Sequence, residues 1–136
     1  MKRQEALLTL SREHHTALSL ARAIRLVEES GDARLLADTA ERIVRLFPAA
    51  LEPHFAKEEA GILVALAEAG ETRLVTRTLR EHQALRHLAA AIARGRLQRM
   101  AMFGRLLAAH VRFEERELFE RAQVLWPAGF DRRTEV

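Results

Sequence analysis

His110-Val111-Arg112-Phe113-Glu114-Glu115 carries the pattern from which the fold can be read. It has a near-twin upstream, His54-Phe55-Ala56-Lys57-Glu58-Glu59. Each places an imidazole and a carboxylate four residues apart, one turn along a single face of an α-helix, so each pair can grip one edge of a metal ion. An Arg-Glu-His tripeptide stands one helix earlier in both cases, Arg12-Glu13-His14 and Arg80-Glu81-His82. The chain therefore reads as two copies of a helix pair, each offering a His from its first helix and a His with a Glu from its second.

Around these motifs, apolar residues recur at three- and four-residue spacing and predict four helices. The first covers residues 5–29, with Leu7, Leu10, His14, Ala17, Leu18, Ala21 and Ile24 inward; Gly31 ends it and Asp32 caps the next. The second covers 33–68 with a kink or break at 46–53, because Pro48 and Pro53 each lack an amide hydrogen. Its inward face is Phe47, Ala50, Leu51, His54, Glu58, Ile62 and Ala65, and Gly70 ends it, with Thr72 as the next cap. The third, 72–94, turns Val75, Leu79, His82, Leu85, Arg86, Ala89 and Ile92 inward. The fourth, 97–123, comes after Gly95 and buries Met100, Phe103, Leu106, Leu107, His110, Phe113, Glu114, Glu117 and Leu118. Trp126 and Phe130 are expected to close the open end of the bundle, with 131–136 fraying. His15 and His87 fall on polar faces and are not expected to bind metal.

Short connections between four amphipathic helices imply an all-α, antiparallel up-down-up-down four-helix bundle. Depth can be obtained by counting. His82 and His110 are symmetric about residue 96, each about 14 residues or roughly 21 Å from it at 1.5 Å per residue. His14 and His54 are symmetric about residue 34, and His54 and His82 about residue 68. All four imidazoles are thus expected in one layer, with Glu58 and Glu114 one turn further along.

Composition narrows the class. The 136 residues, 49% hydrophobic, suffice for one domain, 1–136, burying roughly two-thirds of the unfolded surface. There is no cysteine, which removes thiolate ligands and fits a cytoplasmic address, and no tyrosine to store a radical. No apolar run approaches the ~18 residues of a membrane span, and no signal-peptide core is expected. The net charge of +3 comes from arginines interleaved with acids, which argues against nucleic acid as a partner.

Four imidazoles and two carboxylates inside an apolar bundle are costly unless paired, and two divalent metals resolve the cost. The simplest arrangement gives each metal two histidines and lets Glu58 and Glu114 bridge both. An oxo or hydroxo bridge adds a fifth bond to each ion and leaves a sixth position open. The donors suit iron and tolerate manganese or zinc. Glu13, Glu59, Glu81 and Glu115 adjoin the candidate ligands and are expected to orient imidazoles from behind. Arg86 either faces the site, to hydrogen-bond a bridging glutamate or a bound anionic dioxygen species, or snorkels out to pair with a surface acid.

These elements, Glu13-His14, His54 to Glu59, Glu81-His82 and His110 to Glu115, resemble the hemerythrin-like, or HHE cation-binding, family over about residues 10–122. The resemblance implies a non-haem di-iron centre with terminal histidines and two bridging carboxylates, binding O2, NO or peroxide. Oxygen-carrying hemerythrins have a fifth histidine one turn after the position of His82, where this chain has Arg86. They also space the last His and its acid five apart, against four for His110 and Glu114. The pattern looks closer to the four-His, two-Glu centres of iron-sulfur-cluster repair proteins, which respond to nitrosative and oxidative stress and usually carry a cysteine-bearing N-terminal region. Three functions stay open: O2 or NO binding for sensing, delivery or stress response; an enzyme acting on peroxide or in cluster repair; and a metal-dependent interaction module.

Overall fold

The computed structural model describes residues 4–130, and over that span good helix formers build four antiparallel rods. The first is α1 (Glu5–Ser30). The second is broken into α2 (Ala33–Leu46), a π-helical turn (Phe47–Leu51), α3 (Glu52–Ala60) and α4 (Ile62–Glu68). The third is α5 (Thr72–Ala93). The fourth opens with a 3₁₀ turn (Leu97–Arg99) and continues through α6 (Met100–Phe113), a second π turn (Glu114–Leu118) and α7 (Phe119–Leu125). No described helix is long and apolar enough to cross a membrane.

The rod ends are set by local chemistry. Gly31 adopts φ +67°, a left-handed conformation that a side chain would strain, and its amide closes α1 on the Val27 carbonyl. The Asp32 side chain then accepts from the amides of Arg34 and Leu35. Thr72 does not cap α5 as expected: it is the first helical residue, and Glu71 precedes it without a side-chain cap.

The break expected at 46–53 takes the form of the first π turn. Pro48 and Pro53 withhold amides five residues apart, and the wider turn closes with the Glu52 amide on the Phe47 carbonyl. A second interruption, at Gly61 (φ −115°, ψ −94°), lay outside the expectation.

Apolar side chains form two clusters. One holds Leu20, Ile24, Ile43, Phe55, Phe103 and Leu107; the other holds Leu7, Ile62, Leu66, Phe113, Phe119 and Phe130. Each fully buried large side chain contributes roughly 1.5–3 kcal/mol. Phe130 and the half-buried Trp126 pack into the second cluster, as a closing tail should; residues 131–136 lie outside the described span.

Four inward assignments are corrected. Leu18 is 41% exposed, and Leu20 is buried in its place. Leu79 is 40% exposed and Val75 only half-buried, because α5 presents Leu74 and Thr78 instead. Thr78 tolerates this position since its hydroxyl donates to the Leu74 carbonyl. Glu117 is exposed, because the second π turn adds a residue and rotates the helix beyond it, bringing Phe119 inward. Phe47, Ala50 and Leu106 are half-buried at the margin of the core.

Candidate metal centre

Between the two apolar clusters lies a polar layer made by one turn from each rod. α1 supplies His14, α3 supplies His54 and Glu58, α5 supplies His82, and the fourth rod supplies His110 and Glu114. All six are buried, and both glutamates are fully so. The His14 and His54 ring centroids are 5.0 Å apart, as are those of His82 and His110, so the four imidazoles share one layer in two pairs.

Both carboxylates lie between the pairs. Glu58 turns Oε2 to His54 Nε2 at 3.2 Å and Oε1 to His82 Nε2 at 3.0 Å. Glu114 turns Oε1 to His14 Nε2 at 2.7 Å and Oε2 to His110 Nε2 at 3.4 Å. The ligand atoms of His14, His54, Glu58 and Glu114 lie within 4.8 Å of one another, and so do those of Glu58, His82, His110 and Glu114. Two groups of four donors thus share two carboxylates.

Behind each imidazole stands a second glutamate, always from the preceding rod around the bundle. Nδ1 of His54 donates to Glu13 at 2.9 Å, His82 to Glu59 at 2.7 Å, His110 to Glu81 at 2.7 Å, and His14 to Glu115 at 2.7 Å. The bonds close a ring through all four rods. They fix the tautomer that leaves Nε2 facing the layer. Three of these glutamates are in turn held by cations: Glu13 by Lys57, Glu81 by Arg77 and Glu59 by Arg86. Arg86 does not reach Glu58 or Glu114, and hydrogen-bonds Glu52 and Glu59 instead. Aromatic rings support the layer from the two apolar sides. Phe119 stacks on His14 with centroids 5.4 Å apart, and Phe55 stacks on His82 at 4.1 Å.

Protons balance the charge in the metal-free layer. Burial pushes the Glu58 carboxyl up, and the neighbouring Glu114 adds to the rise. Burial would also raise Glu114, but the charge of His110 beside it, with His14 hydrogen-bonded to it and His54 nearby, holds it well below the usual carboxylate range. Burial works against charge on His54 and His110, yet their carboxylate neighbours outweigh it and raise both to about 10. His14, with a carboxylate on each ring nitrogen, is raised as well against the effect of burial.

Four atoms of the layer are buried without a hydrogen bond: His54 Nε2, Glu58 Oε2, His110 Nε2 and Glu114 Oε2. Polar atoms so enclosed call for a partner. Imidazole nitrogen and carboxylate oxygen in groups of four suit divalent first-row metals, so the donor set fits a pair of iron ions.

The expected donors, His14, His54, Glu58, His82, His110 and Glu114, are all brought together, whereas His15 and His87 are exposed. The orienting glutamates were visible beside each ligand, but the histidine each one reaches was not. The supporting rings of Phe55 and Phe119 carried no signal beyond apolarity.

Fold and layer together define a four-helix bundle with a cation-binding centre of four histidines and two glutamates. The family described as hemerythrin HHE cation binding domain matches residues 6–122, and the chain belongs to that family. No curated protein and no solved structure matches it. The ligand set is the four-His, two-Glu arrangement of the iron-sulfur-repair type.

Proposed function

We propose that this protein is a non-haem di-iron protein that binds O2 or NO, serving sensing, delivery or stress response. His14 and His54 would hold one iron, His82 and His110 the other, and Glu58 and Glu114 would bridge them. The observation that carries the reading is the placement of each buried carboxylate with one oxygen toward either histidine pair. When bound, a ferrous pair with an open coordination position supplies electrons and a binding site for a diatomic gas.

The chain's own residues prepare that site. The Nδ1–Glu bonds aim each Nε2 inward, and the apolar clusters on both sides keep bulk water away. Metal loading displaces the protons that His54 and His110 hold in the metal-free form, so it is coupled to pH. Anaerobic preparation with iron should give about two irons per chain on this assignment. Alanine at Glu58 or Glu114 should uncouple or empty the pair, read by metal analysis and Mössbauer spectroscopy. An intact coupled pair in both variants would refute the bridges. Absence of any stopped-flow reaction of the reduced, loaded protein with either gas would end the O2 or NO assignment.

The ligand set also supports a second reading, iron delivery in cluster repair. Reactivation of a damaged iron-sulfur enzyme by the loaded protein, without stable gas adducts, would favour it.

A further inference from the structure

α3 carries two of the six donors, His54 and Glu58, and its backbone is interrupted at both ends. The π turn Phe47–Leu51 precedes it, and Gly61, far from helical geometry, ends it. A nine-residue helix bounded this way joins its own rod through two irregular turns, even though backbone hydrogen bonds continue across both. Side chains of neighbouring rods that grip α3 thus bear on its height in the layer.

The strongest such hold comes from one side chain of α5. The Arg86 guanidinium makes five hydrogen bonds to two carboxylates of α3. Nε donates to Glu52 Oε1 at 3.1 Å and Oε2 at 2.8 Å, and Nη2 donates to Glu52 Oε1 at 2.7 Å. Nη1 donates to Glu59 Oε2 at 2.9 Å, and Nη2 also to Glu59 Oε1 at 3.1 Å. Glu52 and Glu59 are two turns apart on one face of α3, and they bracket His54 and Glu58 in sequence. Glu59 Oε2 also accepts from His82 Nδ1, and Arg86 lies 5.7 Å over the Phe55 ring that stacks on His82. One planar fork thus meets both ends of the segment and, through Glu59, the back of a third donor. A lysine ammonium has no such fork.

We propose that Arg86 is a positioning residue: it clamps α3 to α5 by gripping Glu52 and Glu59 together, and so sets His54, Glu58 and the His82 ring in register for metal. The link to metal rests on the six-donor reading given above; the clamp itself does not.

The experiment separates the two. Amide hydrogen exchange is measured on the metal-free wild type, Arg86→Ala, Arg86→Lys and Glu52→Gln. In Arg86→Ala the α3 amides are expected to exchange ~10-fold faster or more, the size of losing charge-assisted hydrogen bonds, with α1 and the rest of α5 little changed. Arg86→Lys and Glu52→Gln each keep part of the grip and should fall between, and they carry the test if the alanine variant does not fold. Unchanged exchange in α3, or acceleration spread equally over all four rods, overturns the clamp. On iron-loaded protein, Arg86→Ala should release iron to a chelator ~10–100-fold faster. If α3 loosens as expected but the wild type takes up no iron, the clamp stands and the ligand assignment falls.

Discussion

Each imidazole of the layer is addressed on both sides, with Nε2 toward a shared carboxylate and Nδ1 toward a glutamate of the preceding rod. The six donors are the buried ionisable groups of the described interior. The residues next to the donors also take part: Glu13, Glu59, Glu81 and Glu115 each adjoin a candidate ligand yet serve the histidine of a different helix. Glu81→Ala tests the arrangement at one residue. It leaves His110 Nδ1 without its 2.7 Å acceptor, and iron affinity should fall ~10–100-fold while helix content is kept. Competition with a chelator, read alongside far-UV circular dichroism, checks it; unchanged affinity would mean the ring only decorates the layer.

Among the elements, the two π turns do the most for the site, and both lie beside it. The first leads through Pro53 into His54; the second begins at Glu114 itself. In a continuous α-helix Glu117 would come after Glu114 on the inward face. The extra residue turns Glu117 to solvent and brings Phe119 under the His14 ring. Inserting an alanine after Arg116 should advance the helix beyond it by one residue and swing Phe119 outward by roughly 100°. The expected loss is about 3–5 kcal/mol, that of truncating a buried phenylalanine, in urea unfolding of the metal-free protein. An insertion that unfolds like the wild type would show that the register set by the turn has no part in placing Phe119.

At the scale of the whole molecule, the layer joins the four rods and makes their stability depend on pH. His54 and His110 have folded values raised from 6.5 to about 10. The stability they contribute is fully present below about 6.5 and is lost as pH rises through about 10. Glu114 is depressed, so its contribution is present above about 4.5 and fades as pH falls through its folded value. The metal-free protein should therefore show a falling Tm between pH 6.5 and 10. Metal takes the place of those protons, so the rise in Tm on adding iron should grow over the same interval. Calorimetry with and without chelator measures both, and a metal-free Tm that climbs across that range would contradict this charge balance.

Local period in the amino-acid chain was enough for four helices, their turns, and six donors spaced to share a face. Counting along rods of fixed rise was enough to predict that the imidazoles meet at one height, because helix length is proportional to residue number. Packing in three dimensions settled which glutamate stands behind which histidine, where Arg86 ends, and that Thr78 and Phe119 rather than Leu79 and Glu117 face inward. Those choices depend on how neighbouring rods are rotated against one another. A single extra residue in a π turn changes that rotation by about a quarter of a circle, while leaving the apolar period of the sequence almost unaltered.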